Sequence, residues 1–194
     1  MTKDTMAQEN LNEIEVGQSA PDFLARDLSG KEVRLSSLIE GKKALLLFYR
    51  GGWCPFCNEQ LAAITMDYQK FQELNATVVA VSGEEAEKGR GLLQKLHLPF
   101  VLLSDTPFEA IDRYGVRDRN VSEMLRAKGI TRLPKPSAFV IDATGTLRYR
   151  YVGKNAPDRP KNADLLRALR EADKPMEVSP EADGLNACEL PEET

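Results

Sequence analysis

Residues 44–57 read Ala44-Leu45-Leu46-Leu47-Phe48-Tyr49-Arg50-Gly51-Gly52-Trp53-Cys54-Pro55-Phe56-Cys57, and they decide the fold. The unbroken apolar run 44–49 predicts a strand buried on both faces. Arg50-Gly51-Gly52-Trp53 ends it, and Pro55 suits the first position of a helix, where a missing N–H costs nothing. Cys57, Leu61, Ile64, Tyr68 and Phe71 then recur at alternating four- and three-residue steps, the apolar stripe of a long helix. Asn75 is its expected stop, and Val78-Val79-Ala80-Val81 reads as a second buried strand. Two cysteines therefore sit where a strand turns into the crossover helix of a strand–helix–strand unit.

Working outward, 23–26 and 33–35 flank Asp27-Leu28-Ser29-Gly30 as a hairpin. Ser36-Ser37 offers an N-cap for a short turn that stops at Gly41. A helix over 84–96 is thinned by Gly89 and Gly91. A strand over 100–103 and a helix over 108–114, ended by Gly115, follow. The basic stretch 116–133 has no clear period. Segments 137–141 and 146–152 pair as a hairpin across Asp142-Ala143-Thr144-Gly145, and 163–172 is a last helix. The pattern predicts an α/β three-layer sandwich: a mixed central sheet flanked by helices, with an N-terminal β-hairpin extension. Residues 1–16 read as a flexible leader, 17–172 as the domain, and 173–194 as an acidic mobile tail.

With 194 residues, 42% hydrophobic and 29% charged, the chain can bury a sizeable core. No apolar stretch approaches membrane-spanning length, so no membrane partner is expected. The start lacks the apolar stretch of a secretion signal, which makes a cytoplasmic location the expectation. Residues 1–16 carry four acids and one base, and 173–194 seven acids and one base, leaving 24 basic against 19 acidic residues between them. That modest excess between acidic ends argues against nucleic acid as a partner.

Cys54, Cys57 and Cys188 are the only cysteines, too few for a disulfide scaffold. Two thiols three residues apart at a helix start share one face. Free backbone N–H groups and the positive end of the helix dipole there favour a thiolate. Such sites bring a cysteine from about 8.5 into a range of roughly 3.5–7.5. The thiolate attacks disulfides and peroxides, and the neighbouring sulfur then closes a disulfide. Trp53 covers the apolar side, Pro55 stiffens the turn, and Arg50 brings a cation near the pair. A zinc knuckle would need a second ligand pair; only His97 and Cys188 could supply it, from far away, so no metal or other cofactor is expected.

The segment Phe48 to Cys57 resembles the active site of the thioredoxin-fold superfamily, and more narrowly the peroxiredoxin-like branch of the alkyl hydroperoxide reductase/thiol-specific antioxidant (AhpC/TSA) family. Gly17-Gln18-Ser19-Ala20-Pro21-Asp22-Phe23 resembles that family's opening segment, Ser104-Asp105 and Tyr114-Gly115-Val116 its middle, and Pro134 to Asp142 its late strand. The resemblance spans roughly residues 17–172. It implies a thioredoxin-like fold and a cofactor-free antioxidant oxidoreductase cycling Cys54 and Cys57 between dithiol and disulfide. The leading expectation is hydroperoxide reduction with a thioredoxin-like or small-thiol reductant. Protein disulfide reduction is the alternative, and a non-catalytic zinc-bound or interaction module a third. A homodimer is left open. Trp53, Pro55, Arg50 and Pro136 are the expected substrate- and partner-facing residues, with Pro136 at the position of the superfamily's cis-proline.

The chain departs from typical peroxiredoxins. Arg50 falls where their active-site proline lies, Cys54 where they have Thr or Ser, and Cys57 on their peroxidatic cysteine. Pro136 falls on their active-site arginine. The helix start favours Cys54 as nucleophile, resolved by Cys57, and the peroxidase reading reverses the roles.

Cys188 lies among acids that oppose a thiolate and reads as incidental. His97, before Leu98-Pro99, reads as a helix C-cap. The seven basic residues between Arg113 and Lys135 face only Asp118 and Glu123, and read as a solvated face or a docking surface for an acidic reductant.

Overall fold

Strand β3 (Lys43–Phe48) has two apolar faces and forms the middle of the molecule. In the computed structural model, which describes residues 14–174, it pairs in parallel with β4 (Ala76–Ser82) and antiparallel with β6 (Ser137–Ile141). The remaining strands are β1 (Leu24–Asp27), β2 (Glu32–Arg34), β5 (Val101–Ser104) and β7 (Leu147–Val152). The seven strands form one mixed sheet in the order β2-β1-β5-β4-β3-β6-β7. The N-terminal hairpin thus extends the sheet from β5, as expected.

Helices α1 (Leu35–Leu38), α2 (Pro55–Met66), α3 (Tyr68–Glu73), α4 (Ala86–Leu96), α5 (Glu109–Arg113), α6 (Glu123–Ala127) and α7 (Asn162–Glu171) complete the chain. Alternation along β3 splits the core. Leu45 and Leu47 join Leu61, Ile64, Leu165 and Leu169 from α2 and α7 on one face. Ala44, Leu46 and Phe48 face Phe23, Ile111, Tyr114 and Phe139 on the other. There Tyr114 lies 5.0 Å from Phe139 and 5.2 Å from Phe48, centroid to centroid, and its hydroxyl donates to the Pro21 carbonyl. Fully burying each such side chain is worth about 1.5–3 kcal/mol. Ile14 is already buried in this cluster, so the packed body starts before Gly17.

Four local readings are corrected. The long helix over 55–71 is two, broken at Asp67, whose carboxylate turns to Lys70 and Asn162 rather than continuing the stripe. The short turn opens at Leu35 and Ser36 is not its N-cap; Ser36 instead bonds Asp22 through both its N–H and its hydroxyl. The helix expected from residue 84 starts at Ala86, because Glu84 lies in a bend and Glu85 is the extended N-cap. Stretch 116–133 contains α6, held by a satellite cluster of Val121, Leu125 and Leu133. Both hairpin turns follow the sequence: Asp27 and Asp142 each accept from the backbone two and four residues on, and Gly30 and Gly145 take positive φ.

Phe108, buried with a φ of 68°, sits between the guanidinium groups of Arg117 and Arg132, at 4.7 and 4.4 Å from its centroid. A Cβ on Gly83 would come within 2.3 Å of its ring. Gly83→Ala is therefore expected to destabilise the fold by about 1–3 kcal/mol in urea unfolding with an unchanged slope.

Candidate active site

The end of β3 delivers the chain to the loop 49–53, tied to β4 by the Tyr49 N–H donating to Val81 O at 3.0 Å. Gly51 has a φ of 148°, and a Cβ there would lie 2.8 Å from the Glu84 carboxyl carbon. That carboxylate accepts the Gly52 N–H at 2.6 Å and braces the loop from β4's end. Asn58 adds a side-chain N–H to the Gly52 carbonyl. Cys54 is the N-cap of α2 and Pro55 its first residue, as the spacing predicts. Cys57 and Asn58 N–H groups both donate to the Cys54 carbonyl at 3.1 Å.

Both cysteines are free thiols, Cys54 1% and Cys57 0% exposed, while their neighbours Trp53 and Phe56 are 38% and 39% exposed. The two thiols shift each other's ionisation in opposite directions. The Cys57 S–H pulls the Cys54 thiol down to about 5, against the cost of burial, with help from the Cys57 N–H and the charges of Arg50 and Arg159. The hydrogen bond to Cys54 and deep burial push the Cys57 thiol up, with Arg159 opposing, so the two ionise as a pair. The pair thus carries one negative charge at neutral pH. Tyr49, packed in the same cluster, is pushed up by burial and stays neutral.

Cys57 Sγ has two donors. The Arg50 backbone N–H reaches it at 3.4 Å and Arg159 Nη2 at 3.2 Å. The Arg50 side chain instead stacks on Trp53, 5.3 Å from the ring centroid. Arg159 was not a candidate from sequence: it stands 102 residues from Cys57, between Pro157 and Pro160. Its Nε donates to Ala156 O at 3.1 Å and its Nη1 to Gln60 Oε1 at 2.6 Å, so each nitrogen makes one bond and two of the five N–H groups are left over. The loop beneath it is clamped by Asp158, which accepts the Tyr151 hydroxyl and the Lys154 N–H. An open groove of about 370 Å³ is lined by Phe56, Ala63, Pro157 and Pro160 together with Glu59, Lys161 and Arg159.

Pro136 differs from expectation. Every peptide bond among the described residues is trans, and Pro136 is buried one residue before Ser137, the register partner of Phe48. Its carbonyl is occupied by the Gly153 N–H at 2.8 Å, so it does not offer open backbone to a partner chain. Pro55 is exposed at the helix start. His97 caps α4 in the left-handed conformation. Cys188 lies outside the described residues. Among the described residues no cluster of metal-ligating side chains occurs, and no helix is long and apolar enough to cross a membrane. The basic segment is partly self-paired: Arg113 with Glu109, Arg117 with Asp112, Arg126 on the Val121 carbonyl, Arg132 on the Thr106 carbonyl.

Residues 16–150 match the AhpC/TSA family. The chain is 30% identical over 146 residues to the chloroplastic peroxiredoxin Q of Oryza sativa subsp. japonica, covering 75% of this chain and 63% of the relative. It is 30% identical to that of Sedum lineare over 156 residues, covering 79% and 78%. The chain thus spans less than two thirds of the length of the rice relative. Among solved structures, peroxidoxin BcpB of Mycobacterium tuberculosis superposes with a TM-score of 0.69 at 24% identity, over 81% of this chain and 97% of that one. AhpC of Enterococcus faecalis gives 0.66 at 20%, over 81% and 91%. Arg159 falls beyond the family match.

Proposed function

This chain belongs to the AhpC/TSA family, and we propose that it is a thiol-dependent peroxidase in which Cys57 attacks the hydroperoxide and Cys54 resolves it. The observation that carries this reading is the Arg159 guanidinium on Cys57 Sγ at 3.2 Å. A guanidinium keeps its charge at every working pH and can donate to sulfur and substrate oxygen together. It therefore supplies, from the loop after β7, the cation that is missing where Pro136 stands. The order reverses the one expected from the helix start alone, because the donors converge on the inner sulfur.

The proton between the sulfurs passes to Cys54, leaving Cys57 as thiolate against Arg159 and the Arg50 N–H. The thiolate attacks the terminal peroxide oxygen; the O–O bond breaks and the alkoxide leaves, taking a proton from solvent. Cys57 is now a sulfenic acid. The Cys54 sulfur attacks it, its proton leaves with the hydroxide as water, and the disulfide forms. A thiol reductant returns the two electrons.

A second reading, protein disulfide reduction with Cys54 attacking, draws on the depressed Cys54 thiol. The two separate on one protein sample. Consumption of an alkyl hydroperoxide with dithiothreitol, far faster than dithiothreitol alone, is expected. Insulin disulfide reduction without peroxide consumption would overturn the peroxidase and leave the reductase.

A further inference from the structure

The two sulfurs face different surroundings. On the Cys57 side the groove sets Phe56, Ala63, Pro157 and Pro160 beside Arg159, which is already hydrogen-bonded, and balances Lys161 with Glu59. Trp53, the residue before Cys54, lines two clefts of about 210 and 320 Å³. Arg50, Lys88 and Arg132 line the first, together with Glu85; Lys88 and Lys95 line the second. Glu84 reaches both but spends its carboxylate on the Gly52 N–H. No ion pair within 4.0 Å engages Arg50, Lys88, Lys95 or Arg132 among the described residues. Four cations and one free carboxylate around an exposed tryptophan favour an anion. The clefts are sized for a small molecule rather than a protein face.

We propose that the reductant is a low-molecular-weight thiol bearing carboxylates, which enters beside Trp53 between Arg50, Lys88 and Arg132 and attacks the oxidised pair at Cys54. This rests on the disulfide-forming cycle above and adds to it the electron donor and the side of entry. The leaving sulfur decides the direction. Attack on Cys54 expels Cys57 as a thiolate into the hydrogen bonds of Arg159 and the Arg50 N–H, whereas attack on Cys57 would have to displace Arg159. The Cys54–Cys57 bond breaks as the bond from Cys54 to the incoming sulfur forms. A second molecule of the thiol then attacks the first one's sulfur, releases Cys54 as thiolate, and leaves as the symmetrical disulfide. Two thiols are oxidised for each protein disulfide reduced.

The disulfide is made with diamide, so the test does not depend on peroxide activity. Trp53 is the only tryptophan, and its fluorescence follows reduction in stopped flow. The probes are glutathione and its diethyl ester, at equal thiolate concentration. Glutathione is expected to react about tenfold faster at low salt, an advantage that shrinks as salt rises. In Lys88→Gln/Arg132→Gln the glutathione-to-ester ratio is expected to fall close to one. Alkylation and fragmentation of a quenched sample should place glutathione on Cys54. Equal rates for acid and ester, a ratio untouched by the double variant, or glutathione on Cys57 would overturn the proposal. Those failures would leave dithiothreitol-driven peroxide consumption, the test of the peroxidase itself, unaffected.

Discussion

Cys57→Ser is expected to lose peroxide consumption by about a thousandfold or more, because it removes the attacking atom and no other group has the same donors. Cys54→Ser should behave differently. Its Cys57 still meets Arg159 and the Arg50 N–H, so one equivalent of peroxide is reduced and the cycle stops at the sulfenic acid. Without a resolving sulfur, further peroxide drives Cys57 to the sulfinic acid, visible by mass as the addition of two oxygens. The burst should also be slower than in the unaltered protein, since the sulfur–sulfur hydrogen bond that holds the pair's charge is gone. Serine at 57 retains both donors and loses little volume, so thermal unfolding near the wild-type midpoint separates lost chemistry from lost fold. If the burst survives in Cys57→Ser and vanishes in Cys54→Ser, the attack order returns to the one the helix start predicts.

That reversal shows what was legible in the sequence. Local signals carried far: the apolar run became β3, Pro55 opened α2 behind Cys54, and the two Asp-to-Gly turns closed the hairpins. Each depends on residues within a few positions of one another. The helix break at Asp67 was hidden because one of the two groups on its carboxylate, Asn162, lies 95 residues away, and the other, Lys70, reads as an ordinary helix-surface pair. The amphipathic stripe continues across the break, from Ile64 to Phe71, and gives no warning. Pro136 stands just before β6, the strand next to β3, but whether its carbonyl is free depends on Gly153, on which a Cβ would lie 2.9 Å from that oxygen. Arg159 was invisible for the same reason, with one faint trace: an arginine between two prolines is a side chain on a stiff mount. A cation missing from its usual place can be noticed in a sequence, whereas its replacement is found only when the chain folds back on itself.

Arg159→Gln is the second large effect and splits into two measurable parts. The guanidinium lowers the pair's first ionisation by opposing the shared negative charge, so removing it should move the midpoint of the peroxide-reaction pH profile upward. The unaltered protein is expected to be active above the pair's first ionisation, which lies below the ordinary thiol range, and to lose rate as pH falls through it. This part of the loss disappears at high pH, where both proteins are thiolates. The other part does not. In the proposed step Arg159 also donates to the oxygen on which charge builds as the O–O bond breaks, and losing such a donor costs about 10²–10³ in rate at any pH. Arg159→Lys should recover the midpoint but not the rate at pH 9, because one ammonium cannot hold Gln60, Ala156 and Cys57 at once while reaching the substrate. A glutamine variant whose deficit vanishes entirely at pH 9 would reduce Arg159 to tuning ionisation. One with the wild-type rate and profile would remove it from the mechanism, and with it the reason for assigning the first attack to Cys57.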